Sequence, residues 1–266
     1  MFARFKLNLD MNDLRLHKEF DRYKNNQFKK INKIVHSSLD KYLIIDGSLD
    51  ASEIENDWFP NVDAHIFLSH SHEDEQAVIC FAGFLYENYG IKSFIDSTVW
   101  GYANEILNQI DKEYCVKEEK KGGGYTYDYD KRNQSTAHVH MLLQGALAKM
   151  INKCECLMVV NTPASLKVSE IGKETTTSSP WIYSELLMAN TFPRRNLEDH
   201  NTAVSNESFS VSENFDLKIN YKVGLEKFVD INLNEIIESA NKVNKKDARS
   251  VLDRLYVDKG ILLKNN

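Results

Sequence analysis

Trp181 and Glu185 stand four positions apart in the segment SSPWIYSEL, residues 178–186. A serine before Pro180 can supply an N-cap oxygen, and the proline suits the first helical position, so a helix is predicted to begin here. Residues four apart lie about 6 Å from each other on one helix face. An anionic carboxylate in this place can stabilise positive charge that develops in a reacting group. By themselves the two residues are also explained by the helix dipole and by core packing.

A second group of polar side chains follows two predicted strands. Ser69, His70 and Ser71 come directly after one of them, and Asp96 with Trp100 follows the next. In open parallel sheets, ligands bind outside the carboxyl ends of the strands. The sequence therefore predicts one rim that collects hydroxyl groups, an imidazole, two indoles and two carboxylates, because Trp181 and Glu185 also follow a strand and its loop.

The elements that must position these side chains alternate between strand and helix. Ile66 to Leu68 form a short apolar run, the next segment carries a helical apolar stripe, and Gly90 stands where a helix C-terminal glycine belongs. The segments IKSFID and CLMVV are further strands, and Ser135 or Thr136 is expected to cap the helix before CLMVV. Strand, helix, strand with tight connections predicts a parallel sheet covered by helices. Near the end, FDLKINYKV and KFVDI are strand candidates and ARSVLDRLYV is a closing helix.

The chain divides into an extension and one domain. Residues 1–60 are predicted to be an N-terminal helical extension and connector, because apolar residues recur at threes and fours from Phe20 to Leu43. Residues 61–266 form the domain, with insertions near 112–134 and 167–177 and a C-terminal helical segment.

Composition excludes several classes of protein. A net charge of -6 offers no basic field to attract a phosphate backbone, so nucleic acid is not expected as a partner. No apolar run approaches the roughly 20 residues that a membrane helix needs. Four cysteines without a CxxC pair, and no signal sequence, predict a reducing compartment and a cytoplasmic location. The HVH and CEC pairs do not have the spacing of a tetrahedral metal site, so no metal is expected.

Several ordered motifs together resemble the Toll/interleukin-1 receptor (TIR) domain family, especially its bacterial stand-alone and plant members. They are HIFLSHSHEDE, IKSFID, Trp100, CLMVVNTP and SSPWIYSELLMA, and they cover roughly residues 62–195. The resemblance implies an α/β fold of the flavodoxin-like kind, with a parallel sheet between two helical layers. It also implies that domains associate with each other face to face.

In enzymatic members of that family, a glutamate at the position matching Glu185 cleaves NAD at the bond between nicotinamide and ribose. The resemblance thus implies an NAD-cleaving enzyme with NAD as substrate and no separate cofactor, whose ADP-ribose product could signal to a downstream effector in bacterial anti-phage defence. A single carboxylate suits this reaction because nicotinamide leaves as a neutral molecule and needs no general acid.

Other side chains are assigned to substrate binding. No GxGxxG or Walker sequence occurs, so Ser69, His70 and Ser71 at a helix start are the available phosphate site. Asp96 belongs to the same rim. Trp100 either stacks on a base or packs on the sheet, Phe67 either lines the pocket or belongs to the core, and Trp181 buttresses the site.

Two other functions fit the same residues. The first is a non-enzymatic assembly or adaptor module in which Glu185 only caps its helix. The second is nucleoside deoxyribosyl transfer, which uses a related sheet and a glutamate nucleophile. Product analysis with NAD and with deoxynucleosides would separate the three.

Overall fold

The computed structural model describes residues 1–10, 39–45, 47–59, 62–120, 122–168, 174–194 and 220–261, apart from the side chains of residues 98–100. Within these ranges the strands are β1 (Ala3–Asn8), β2 (Ile66–Ser69), β3 (Ser93–Ile95), β4 (Val116–Glu119), β5 (Tyr125–Tyr127), β6 (Cys156–Val160), β7 (Lys167–Val168), β8 (Thr175–Thr177), β9 (Tyr221–Lys222) and β10 (Val229–Asn232). The helices are α1 (Ala51–Trp58), α2 (Glu75–Tyr89), α3 (Ser97–Tyr114), α4 (Tyr129–Lys153), α5 (Pro180–Thr191), α6 (Leu233–Asn241) and α7 (Ala248–Asp258).

Five strands form one parallel central sheet in the order β10-β1-β6-β2-β3. The remaining strands form two small antiparallel sheets, β4-β5 and β7-β8-β9. The α/β class with a parallel sheet, predicted from the alternation of elements, is confirmed. Within the described ranges, no helix combines the length and apolar character needed to cross a membrane.

Helices cover both faces of the sheet. Successive residues of β2 and β6 point to opposite faces, and every residue in these two strands is buried. Ile66 and Leu68 face the core that contains α2, α6 and α7, whereas Phe67 faces the core that contains α1, α3, α4 and α5. The continuous apolar sequence of the central strands is therefore the consequence of burial on two sides.

The central strands lie in the same spatial order as in flavodoxin-like sheets, but the strand at the fourth position comes from a different part of the chain. Read from β3, the sheet runs β3-β2-β6-β1-β10. If β2, β3, β6, β1 and β10 are numbered 1 to 5, this spatial order reads 2-1-3-4-5, which is the flavodoxin order. The N-terminal strand thus occupies the place that a strand after β6 takes in that order. The order reverses between β2 and β6, and such a point is where ligands bind in open parallel sheets.

The strand near the N-terminus, Ala3–Asn8, was not predicted. Residues 1–60 were expected to form a helical extension, yet Ala3–Asn8 lies between β6 and β10 as an inner strand of the sheet. Phe5 and Leu7 are fully buried there. The central sheet therefore includes residues on both sides of the predicted boundary at 61. Most of the amphipathic helix predicted from Phe20 to Leu43 lies outside the described residues.

The insertion near 112–134 contains regular structure. Strands β4 and β5 form a hairpin whose turn includes Gly123 and Gly124 at φ 87° and 98°, a backbone region that glycine enters without steric cost. The next helix begins at Tyr129 rather than after Ser135, because Asp128 accepts a hydrogen bond from the Lys131 backbone N–H and caps it.

Predictions at other element ends are confirmed. Gly90 ends α2 in the left-handed conformation, with φ 65°. KFVDI contributes β10, which pairs with β1, and ARSVLDRLYV forms α7. Of FDLKINYKV, the described part contains β9, a short strand that pairs with β8.

Candidate active site

Helix α5 begins as its sequence predicts and carries Glu185 into the interior. The Ser179 hydroxyl accepts a hydrogen bond from the Ile182 backbone N–H at 3.3 Å, and Pro180 occupies the first turn. Because Ser179 is the cap, Glu185 has no capping role. It lies in the second turn, on the face that also buries Trp181 and Ile182.

The Glu185 side chain is completely shielded from solvent, at 0 % exposure. Among the described residues, neither of its carboxylate oxygens has a hydrogen bond of normal geometry, and it takes part in no ion pair. Native structures satisfy nearly all buried polar atoms, so two unpartnered oxygens on one carboxylate are exceptional.

Two residues from the carboxyl ends of neighbouring strands lie beside this carboxylate. Ser69 is the last residue of β2, and Asp96 directly follows β3 and caps α3. Both influence the pKa of Glu185, and both are buried, at 0 % and 1 % exposure. The structure therefore brings Glu185, Ser69 and Asp96 together at the edge of the sheet where the sequence placed them.

Asp96 is in turn held by two contacts. Its Oδ1 accepts a hydrogen bond from the Ser97 backbone N–H at 2.8 Å, at the N-terminus of an 18-residue helix. The same oxygen lies 2.8 Å from Nδ1 of His70, whose side chain is fully buried. Neither ring nitrogen of His70 has a hydrogen bond of normal geometry among the described residues, so the contact with Asp96 is mainly electrostatic.

The pKa values of Glu185 and His70 are shifted mainly by burial and by the neighbouring Asp96 carboxylate. Burial first, and then the charge of Asp96, raise the pKa of Glu185 well above its usual range, while the Ser69 hydroxyl acts in the opposite direction. Burial alone would lower the pKa of His70, but the Asp96 carboxylate outweighs it and the net direction is upward. The surroundings thus favour the protonated forms of Glu185 and His70.

Ser71 has a different environment from Ser69 and His70. Its hydroxyl lies 3.1 Å from Asp74 Oδ2, and its backbone N–H donates to the Ser165 hydroxyl at 2.8 Å. Thr162 and Ser165 also donate to Asp74 Oδ2, at 2.5 and 2.7 Å. The Ser71 hydroxyl, predicted to bind substrate, is thus engaged in a network that joins the loop after β2 to the loop after β6.

The aromatic residues assigned to the site lie in the core. Phe67 is fully buried and its ring centroid is 5.2 Å from that of Phe94. Trp181 contacts His140 edge to face at 5.5 Å between centroids, which agrees with a supporting role one turn from Glu185. Burial lowers the pKa of His140. The prediction for the Trp100 side chain lies outside the described residues.

The described cavities lie elsewhere on the molecule. One of about 870 Å³ lies between α1, α3 and α4 and is lined by residues such as Ile54, Ile110 and Met141. Another of about 480 Å³ is lined by Glu174, Thr175 and residues 222–226. Glu185 lines neither of these two cavities.

Metal ligation finds no support in the described part of the chain. No group of three or more histidine, cysteine, aspartate or glutamate side chains there is arranged to hold an ion. All four cysteines are free and buried.

Asp74 is the residue of this region that sequence reasoning missed. It is 5 % exposed and accepts hydrogen bonds from three hydroxyls. The spacing of Ser71 and Asp74 and the polar segment after CLMVV were available signals, but only the parallel pairing of β2 with β6 brings the two loops together.

Comparison of the chain with protein-family models, with curated proteins and with solved structures gave no match. The likeness to the TIR family therefore rests on the ordered sequence motifs.

Proposed function

We propose that this protein is a TIR-type enzyme that cleaves NAD at the bond between nicotinamide and ribose, with Glu185 as the catalytic carboxylate. One observation carries the proposal. Glu185 is a buried carboxylate that has no hydrogen bond of normal geometry among the described residues, and it lies beside Ser69 and Asp96 at the carboxyl edge of a parallel sheet. Structural carboxylates in a fold are satisfied by hydrogen bonds or ion pairs, whereas functional ones carry such an uncompensated cost.

The chemistry needs little besides this group. The C–N bond breaks with its electron pair passing to the pyridinium nitrogen, so that nicotinamide leaves neutral and positive charge develops on the ribose. A carboxylate beside the ribose stabilises that charge. Water then adds to the sugar carbon and releases a proton, which gives ADP-ribose, or a hydroxyl or ring nitrogen of the same molecule attacks and gives a cyclic product.

The surroundings of Glu185 support this role in two ways. Ser69 and Asp96 stand where they can hydrogen-bond to ribose hydroxyls once a substrate enters. Glu185 itself takes part in no ion pair among the described residues, which leaves its carboxylate available for a positively charged substrate. The NAD molecule, with its pyridinium ring, is such a substrate.

Other parts of the proposal follow from the family resemblance. They are self-association through the TIR faces, a cytoplasmic location, a role in bacterial anti-phage defence, and an effector that senses an ADP-ribose product.

A second function, an adaptor that only assembles, is favoured by one observation. Glu185 is fully buried and lines neither described cavity. The helix-capping role that this alternative gave to Glu185 is wrong, because Ser179 caps the helix. In an adaptor, the buried Glu185 side chain would therefore have no structural role.

The test is cleavage of NAD by the full chain at high protein concentration, with and without a crowding agent that promotes assembly. Mass spectrometry identifies nicotinamide and the ADP-ribose product. Glu185→Gln should lower the rate by about 10² to 10³, the effect of removing one preorganised electrostatic group. Glu73→Gln, which changes an exposed glutamate in the same region, should keep the wild-type rate. Absence of cleavage by the assembled wild-type protein would favour the adaptor.

A further inference from the structure

Three buried titratable side chains lie in one chain of contacts that the cleavage reaction alone does not explain. His70, Asp96 and Glu185 are 4 %, 1 % and 0 % exposed. His70 directly follows β2, Asp96 caps α3, and Glu185 lies in α5. A simple electrostatic catalyst needs one carboxylate. The buried positions of His70 and Asp96 therefore need a separate explanation.

The geometry distinguishes the two acids. Asp96 Oδ1 has the Ser97 N–H and the His70 Nδ1 each at 2.8 Å, and it stands at the positive end of a long helix. Glu185 has no such support among the described residues. Two neighbouring carboxylates in a dry interior do not both ionise, so the proton resides on the one with fewer hydrogen-bond donors. That one is Glu185.

Other charged groups near the cluster do not change this assignment. Glu75 lies close enough to His70 to favour its charged form, and its own Oε1 accepts from the Ser97 hydroxyl at 2.8 Å. On α4, which packs against α5, His140 contacts Trp181, and Gln144 accepts from the Ser184 hydroxyl at 2.6 Å. His140 tends to be neutral because it is buried.

We propose that the site exchanges a proton for the charge of its ligand: Glu185 releases its proton to solvent when a pyridinium cation lies beside it. His70 is the positioning residue, because its Nδ1 lies 2.8 Å from Asp96 Oδ1 and holds that carboxylate in place. The O–H bond of Glu185 breaks with its electron pair staying on the carboxylate, and the ring of NAD supplies the positive charge that the proton supplied before. This inference rests on the proposed function, because it takes NAD as the ligand.

The exchange predicts which ligands the site prefers. NADH has the same phosphates, riboses and adenine as NAD, but its dihydronicotinamide ring is neutral and gives no charge to replace the proton. Binding of the oxidised form should therefore be opposed by acid, whereas binding of NADH should not. Below the pKa of Glu185 in the free protein, affinity for the cation should rise about tenfold for each pH unit.

The experiment uses carba-NAD, in which a methylene replaces the oxygen of the nicotinamide ribose ring and prevents cleavage. Calorimetric titration of the full chain in buffers of different ionisation enthalpy counts the protons released. We expect a release of up to about one proton with carba-NAD and none with NADH, and an affinity for carba-NAD that rises with pH while the affinity for NADH does not.

Variants sharpen the result. His70→Gln should move the pH dependence of carba-NAD binding upward and weaken binding at neutral pH about tenfold, with little change for NADH, because one nearby positive charge is worth about one pKa unit or more. His72→Gln is the matched control, since that histidine lies two positions away with a 90 % exposed side chain and should behave as wild type. A merely structural role of His70 would weaken both ligands equally and leave the pH profile in place.

The outcomes separate the two proposals. Cleavage of NAD together with pH-independent binding of carba-NAD, or equal proton release with NADH, would overturn the exchange and leave the cleavage function standing. If NAD is not cleaved and neither dinucleotide binds, the function is wrong and the exchange with it. The comparison of carba-NAD with NADH needs only the wild-type protein, so it decides the matter even where a variant does not fold.

Discussion

Two buried acids at the same edge of the sheet have opposite surroundings. Asp74 accepts hydrogen bonds on one oxygen from Ser71, Thr162 and Ser165, and joins two loops. Glu185 is more deeply buried and has no hydrogen bond of normal geometry within the described residues. The first acid contributes to the stability of the fold, and the second detracts from it.

The difference shows how structural and functional acids are told apart in this molecule. A buried carboxylate with hydrogen-bond donors repays its desolvation, because bonds to a charged acceptor contribute about 1.5 to 3 kcal/mol each. A buried carboxylate next to another carboxylate has no such bonds to offset its desolvation, and it persists only because the surrounding core holds it. The Asp74 network thus holds in place the loops beside which Glu185 is kept in an unfavourable environment.

The largest expected change in stability is at Asp74. Asp74→Ala removes the common acceptor of three hydroxyls and should lower the free energy of unfolding by about 3 kcal/mol. Asp74→Asn, which keeps one acceptor oxygen, should cost about half as much. Urea unfolding of the two variants and the wild type measures this. A loss below about 0.5 kcal/mol in Asp74→Ala, the range of neutral surface changes, would contradict the structural role.

A smaller change of opposite sign is expected at Glu185. Burial and Asp96 raise its pKa in the folded protein, so the folded state binds more protons than the unfolded chain. The stability that protonated Glu185 contributes is complete below its unfolded pKa, about 4.3, and is lost as the pH rises through the folded pKa. Glu185→Gln does not ionise, so it should be more stable than wild type near neutral pH, by about 1 to 3 kcal/mol.

Thermal unfolding of Glu185→Gln and wild type at a series of pH values checks this. The difference in unfolding free energy should be small near pH 4 and should grow as the pH rises. Glu73→Gln, at an exposed position, should show no such trend. A variant that is less stable than wild type at every pH would mean that the Glu185 carboxylate has favourable partners.

Local sequence patterns predicted the parts of the fold that depend on near neighbours. The cap at Ser179, the left-handed Gly90, the apolar strand β6 and the closing helix α7 each follow from a few adjacent residues. The meeting of Ser69, Asp96 and Glu185 was also predicted, because a general rule places the carboxyl ends of parallel strands together.

Features that depend on distant pairing were missed. MFARFKLNLD alternates apolar and polar residues as a strand does, but its place between β6 and β10 depends on residues more than 140 positions away. The Asp74 network likewise joins residues 88 and 91 positions apart. The unpartnered state of Glu185 depends on everything that packs around it, so sequence spacing does not reveal it.

The smallest expected effects on stability are those of two serines, one beside Asp74 and one beside Glu185. Ser165 donates to Asp74 and accepts from the Ser71 backbone N–H, whereas the Ser69 hydroxyl has no hydrogen bond of normal geometry among the described residues. Ser165→Ala should therefore lower the free energy of unfolding by about 1.5 kcal/mol, the lower end of the range for a hydrogen bond to a charged acceptor. Ser69→Ala removes a hydroxyl of the same size and burial and should change it by less than about 0.5 kcal/mol.

Because both variants replace a buried serine by alanine, differences in burial and side-chain entropy nearly cancel between them. Urea unfolding at one neutral pH gives the comparison directly. Equal losses would mean that the Ser69 hydroxyl stabilises the fold through Glu185, and the contrast between the two acids would then disappear. A loss confined to Ser165→Ala would assign the hydrogen-bonded loops to stability and would leave Ser69, like Glu185, available for a ligand.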